Sequence, residues 1–255
     1  MASNRKTPVQ KREDFEDTQQ HAAKHLPVVS NALKIKLDHL KTFEALTENQ
    51  QQFFDAYKRG DYFISLIGSP GVGKTFLALY KAIEEVLNKD NPFSQVVIVR
   101  SAVQLRDQGF VSGNLEEKQE IYEQPYKEIC TTLFGRADAY DRLKEQGFAR
   151  FITTTAIRGI SIDNSIIIVD EFSSMNFHEL SSILGRIGFR SKIMFCGDMK
   201  QSDLLKTKYD VSGMPEFLDV ARSMSEYTEI AFTPDDIVRS SLVKSWIIAC
   251  EKLGL

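Results

Sequence analysis

Eight consecutive residues constrain this chain more than any others: Gly68-Ser69-Pro70-Gly71-Val72-Gly73-Lys74-Thr75. An apolar run, Tyr62 to Ile67, leads into them, and an alanine- and leucine-rich stretch of helical pattern, Phe76 to about Asn88, leaves them. Glycines let the backbone curl with several N–H groups pointing inward, which makes a nest for an anion at a helix start. The spacing is that of a Walker A phosphate loop, and a strand before and a helix after are the context that motif requires. Lys74 is therefore expected on the β- and γ-phosphates of ATP, and the Thr75 hydroxyl on Mg²⁺.

At 255 residues with 42% hydrophobic composition the chain has ample material for a core, in one large domain or two small ones. No apolar run approaches the roughly 20 residues that span a bilayer, and the first residues, MASNRKTPVQKREDFED, contain no apolar stretch of the kind a secretion signal needs. The expectation is a cytoplasmic protein without a membrane partner. Cys130, Cys196 and Cys250 are far apart and odd in number, so they form neither a disulfide framework nor a Cys-x-x-Cys metal site. His21 and His25 lie four apart, more simply read as part of a solvated polar helix than as a metal pair. A net charge of -3 argues against a globally basic nucleic-acid binder and leaves room for a local positive groove.

Residues 1–42 are rich in charge and glutamine and read as a polar extension, partly helical from Glu13 to Lys24, ahead of a single domain over residues 43–255. Thr47 reads as an N-cap with Gln50 three residues on, and Phe53, Phe54 and Tyr57 follow at helical spacing as far as Gly60. Gln95 to Val99 is an unbroken β-branched run suited to a strand buried on both faces, completing a βαβ unit. Arg100 to Phe148 reads as loop and helix, and Phe151 to Thr155 as another strand. Ser165-Ile-Ile-Ile-Val-Asp170-Glu171 brings two carboxylates to the end of a buried strand. Alone that pattern is common; behind a complete phosphate loop it is a Walker B pair, with Asp170 in the Mg²⁺ shell and Glu171 as base toward the attacking water. Lys192 to Cys196 is a further strand, and Gln201 beyond it is placed to contact the γ-phosphate or the water, since ligands of open α/β sheets sit beyond the strands' carboxyl ends. Tyr227 to Phe232 supplies a last strand, and Leu242 to Leu253 an amphipathic helix with Trp246 read as packing.

Together GSPGVGKT, VDEF and GDMKQSD resemble the PhoH family of P-loop ATPases, which is similar to superfamily 1 helicase cores. RSAV, DQGFVSGNLEEK, IRG, LGRIGF and DDIVRSSLV fall in the family's order, so the resemblance runs from about Leu46 to Leu255. It implies a RecA-like α/β P-loop NTPase, a mostly parallel sheet with helices on both faces. It also implies that Leu46, Thr47 and Gln50 form the motif that reads adenine, and that Arg239 is the family's late arginine. Ser173 stands where the family commonly has the glutamine of DEAQ, and Ser101 replaces the usual proline after Arg100, as in phage-encoded members, for which the compartment is the host cytoplasm. A carboxylate cluster of the PIN nuclease type is absent from the sequence.

The expected activity is Mg²⁺-dependent ATP hydrolysis coupled to RNA or single-stranded DNA, contacted along the loop after the second strand with Arg106 and Lys118 as candidate residues. One RecA-like lobe suggests a homo-oligomer, a closed ring such as a hexamer, in which Arg239 reaches the nucleotide of the next subunit; Arg158 and Arg186 are alternatives. The competing reading is a slow nucleotide-gated module acting on a protein partner. A small-molecule kinase shares the phosphate loop but normally lacks Glu171 and the Gly-Asp-x-x-Gln stretch.

Overall fold

The computed structural model describes residues 34–101, 115–198 and 212–253. The helix expected over Glu13 to Lys24, Arg106, Gln201 and the side chain of Lys118 lie outside them.

Six strands form one sheet: β1 (Phe63–Gly68), β2 (Gln95–Arg100), β3 (Ala149–Thr153), β4 (Ser165–Asp170), β5 (Lys192–Gly197) and β6 (Tyr227–Phe232). Every pairing is parallel and the order is β3-β2-β4-β5-β1-β6. Parallel strands need crossover connections, and those covering helices explain why β2, β4 and β5 read as continuous apolar runs rather than alternating ones. The helices are α1 (Glu48–Arg59), α2 (Lys74–Leu87), α3 (Leu115–Phe134), α4 (Ala139–Glu145), α5 (Phe177–Leu184), α6 (Met214–Arg222) and α7 (Ser241–Leu253).

Side chains alternate across each strand and so build two cores. Ile64, Leu66, Ile98, Ile168, Met194 and Cys196 pack with Phe53 of α1, Leu79 of α2, and Tyr126 and Leu133 of α3. On the other face Phe63, Val97, Val99, Ile167, Val169 and Phe195 pack with Leu180 of α5 and Phe217 and Leu218 of α6. The α/β class, a parallel sheet with helices on both faces, is therefore present as expected. Among the described residues no helix is long and apolar enough to cross a membrane.

Element limits moved where local chemistry overrode hydrophobic pattern. The phosphate-loop helix begins at Lys74, because Gly73 in a left-handed conformation (φ 90°) serves as its N-cap. β3 ends at Thr153, and a turn begins at Thr154, whose N–H still donates to the Arg100 carbonyl at 3.0 Å. Helix α5 was not anticipated, although Asn176 and Glu179 form a reciprocal capping box at its start. Trp246, expected to pack, is 70% exposed, because α7 turns Ile247 rather than Trp246 toward the core.

Sheet order decides the site. β5 lies between β1 and β4, so one strand separates the phosphate loop from the acidic pair and its end forms the floor between them. Gly68, where β1 meets the loop, has φ 145° and sits opposite Phe232, whose backbone a Cβ at this position would strike. Gly68→Ala is expected to lower unfolding free energy by roughly 2–4 kcal/mol through overpacking and backbone strain. A urea midpoint equal to that of the parent would contradict this reading of the β1–β6 contact.

Candidate active site

Strands end and helices begin along one edge of the sheet, and there a cleft of about 1070 Å³ opens. Its lining includes Pro70, Gly71, Gly73, Lys74 and Thr75 of the loop, Asp170 and Glu171 after β4, Gly197 and Asp198 after β5, and Arg239. The structure thus brings the two motifs and the late arginine into one cavity. Gly68, Ser69, Val72 and Gln50 do not line it.

Asp170 is the centre. Its Oδ1 accepts a 2.7 Å hydrogen bond from the Thr75 hydroxyl and its Oδ2 a 2.8 Å bond from Tyr126 of α3. Burial pushes this carboxyl up; Arg100 and the Thr75 bond oppose that, Glu171 adds to it, and the Tyr126 bond opposes it. Tyr126 carries no sequence signal, for it is one aromatic in a long helix whose packing on the sheet decides what its hydroxyl meets.

The Lys74 ammonium donates to the carbonyls of Gly68 (2.7 Å) and Ser69 (2.8 Å), so the lysine folds over its own loop. An ammonium has three donors, which leaves one N–H for a phosphate oxygen without breaking either bond. Burial lowers its proton affinity, while Asp198, Cys196, Asp170 and Glu171 act to raise it. A phosphate would supply the charge that a buried cation lacks.

Glu171 leaves the end of β4 in a left-handed conformation, φ 51°, unusual for a residue with a side chain. Its side chain is 52% exposed, and its Oε2 lies 2.6 Å from Nη2 of Arg100, the last residue of β2. The Arg100 side chain is only 10% exposed, with its guanidinium carbon 5.8 Å from the Tyr122 ring centre. A charged residue ending an apolar run was legible in the sequence; its partner was not, because β2 and β4 are 65 or more residues apart in the chain and meet only in the sheet. Ser173, at the position where the family commonly has glutamine, is buried in the 3-10 turn Phe172–Ser174 and lines the cleft.

Gln50 is buried, and both ends of its amide are bound: Oε1 accepts from the Leu46 N–H at 2.8 Å and Nε2 donates to the Val72 carbonyl at 3.1 Å. It ties the start of α1 to the phosphate loop. Arg239, expected to serve a neighbouring subunit, lies over its own loop, where a Cβ on Gly71 would come within 3.1 Å of its Cγ. The Val238 N–H donates to the Gly71 carbonyl at 3.3 Å, and the Ser69 hydroxyl donates to Glu251 of α7. The C-terminal segment is therefore packed on the loop through main chain and side chain.

Thr75 and Asp170 present a hydroxyl and a carboxylate oxygen side by side in the cleft. Oxygen donors of this kind, one or two from protein and the rest from water and phosphate, suit Mg²⁺. Among the described residues there is no cluster of three or more His, Cys, Asp or Glu side chains able to hold a metal alone.

Comparison with known proteins identifies the family of the chain. The sequence model of the family described as PhoH-like protein matches residues 42–251. The PhoH-like protein of Bacillus subtilis (strain 168) is 30% identical over 213 residues, covering 83% of this chain and 65% of that protein. The PhoH-like protein of Synechocystis sp. is 28% identical over 235 residues, covering 92% of this chain and 68% of its own length. Among solved structures, the Pif1 helicase from Candida albicans is similar at 16% identity and a TM-score of 0.37, covering 83% of this chain and 44% of the helicase. The chain thus spans about two thirds of the length of these two curated relatives.

Because Tyr126 donates one of the two side-chain hydrogen bonds that reach the buried Asp170 carboxylate from the described residues, Tyr126→Phe is expected to cost about 1–3 kcal/mol of stability. Urea unfolding without Mg²⁺ measures it, and an unchanged midpoint would show that the hydroxyl is dispensable to Asp170.

Proposed function

The chain belongs to the PhoH-like protein family, and from that premise we propose that it binds ATP with Mg²⁺ and hydrolyses the γ-phosphate. The observation that carries the proposal is the convergence of Lys74, the Thr75–Asp170 pair at 2.7 Å and Glu171 on one cleft. Inward N–H groups of the loop and the start of α2 bind the phosphates, Lys74 meets the β- and γ-phosphate oxygens, and Gln50 fixes the loop from behind. Mg²⁺ held at Thr75 and Asp170 would neutralise charge that builds on the phosphates. Glu171 accepts the proton of the water that attacks the γ-phosphorus; the bond to the bridging oxygen breaks and ADP leaves. Arg239 approaches the γ-phosphate side from within the same chain, a cis arginine acting on transition-state charge.

We further read the cycle as coupled to RNA or single-stranded DNA contacted by the chain after β2, including Arg106 and Lys118, in a homo-oligomeric ring such as a hexamer. The family resemblance of the 107–118 stretch supports this. A second reading, a nucleotide-gated module for a protein partner, is favoured by one observation: α7 presents Leu242 (78% exposed), Trp246 and Leu253 outward while Glu251 meets the phosphate loop. Turnover with a single-stranded oligonucleotide separates the two. Stimulation that fades with salt supports nucleic-acid coupling, and an unchanged rate with RNA, single-stranded DNA and duplex supports the protein partner.

Lys74→Ala should fold, by circular dichroism, and lose turnover by about 10²-fold or more. Glu171→Gln should bind ATP normally and lose about 10²- to 10⁴-fold in turnover. Arg239→Ala should also be slow. Mixing it with Glu171→Gln should not restore activity, since a cis arginine cannot be lent to a neighbour; recovery in mixed oligomers would place the arginine in trans.

A further inference from the structure

We propose that Arg100 is a positioning residue for Glu171: its guanidinium grips the carboxylate, and turnover requires that grip to open. The proposal rests on the reading of Glu171 as the base. Val99 of β2 stands opposite Val169 of β4, so the two strands end level and Arg100 lies beside Asp170. Strand alternation alone would send the residue after Asp170 to the opposite face; the left-handed backbone at Glu171 turns its side chain back toward the cleft, where Arg100 meets it at 2.6 Å. The pair is unequal. Arg100 is packed beside Tyr122, whereas the Glu171 side chain is half exposed, so the carboxylate is the member able to leave.

A carboxylate serving as base must offer its lone pairs to water, and a guanidinium is a strong competitor for them. Arginine stays protonated throughout the working pH range, so the grip yields to movement and not to deprotonation. Arg100 Nε is buried without a hydrogen-bond partner among the described residues, so the Glu171 carboxylate supplies a hydrogen-bond acceptor that this buried guanidinium otherwise has few of. An alternative duty for Arg100, balancing the buried Asp170, makes a different prediction, because it would not act through Glu171.

The experiment measures ATP turnover of the full chain with Mg²⁺ and no nucleic acid. Arg100→Gln is expected to raise kcat about fivefold, the range for opening an ion pair of this exposure, with KM within about twofold. In the Glu171→Gln background the same substitution should leave residual turnover unchanged, as a double-mutant cycle requires of a residue acting through Glu171. A melting curve checks the fold. Should Arg100→Gln not fold, Arg100→Lys keeps the charge but loses the planar fork, and is expected to raise kcat about twofold. A fall or no change in kcat of a folded variant, or an equal change with and without the Glu171 carboxylate, overturns the proposal. Loss of turnover in Glu171→Gln with no rise in Arg100→Gln overturns the role of Arg100 alone, whereas normal turnover in Glu171→Gln overturns the base reading and the grip with it.

Discussion

One buried carboxylate, Asp170, depends on donors from two other elements, and the active edge of the sheet depends on it in turn. Thr75 comes from the start of α2 and Tyr126 from the middle of α3, and both point at oxygens that would otherwise lose water on burial without compensation. Three elements remote in sequence are thereby held at one point. Its raised proton affinity reflects the cost of burial, which Mg²⁺ or a neighbouring cation would offset.

The sheet makes that convergence possible. All strands run the same way, so every strand delivers its last residue to the same edge, and helices on both faces bury the rest. The intervening β5 sets the distance between loop and acidic pair and brings Gly197 and Asp198 between them. Close packing around Gly68 and Phe232 then fixes the loop relative to the sheet rather than leaving it to local flexibility.

The loop is braced from two sides that have little to do with phosphate. Gln50 holds the Val72 carbonyl from α1, and the segment from Val238 to Glu251 holds Gly71 and Ser69 from the C-terminal side. Ile247 of α7 also lies against Gly71, so the C-terminal helix packs directly on the loop.

Much of this was legible in the sequence. The phosphate loop, the acidic pair, the buried strands and the Thr47 cap are local patterns, set by residues a few positions apart and by the single-residue demands of glycine and threonine. Gly68 to Thr75 and Ser165 to Glu171 are recognisable as motifs without a fold. What the sequence left open is what joins distant segments: that Tyr126 serves Asp170, that Arg100 grips Glu171, that Gln50 spends its amide on the loop, and that Arg239 has its Cγ over its own Gly71. Each is a contact between residues tens to well over a hundred positions apart. Strand order and helix packing create such contacts, and no local spacing encodes them, because hydrophobic burial selects the arrangement of the elements and polar partners then meet wherever that arrangement puts them.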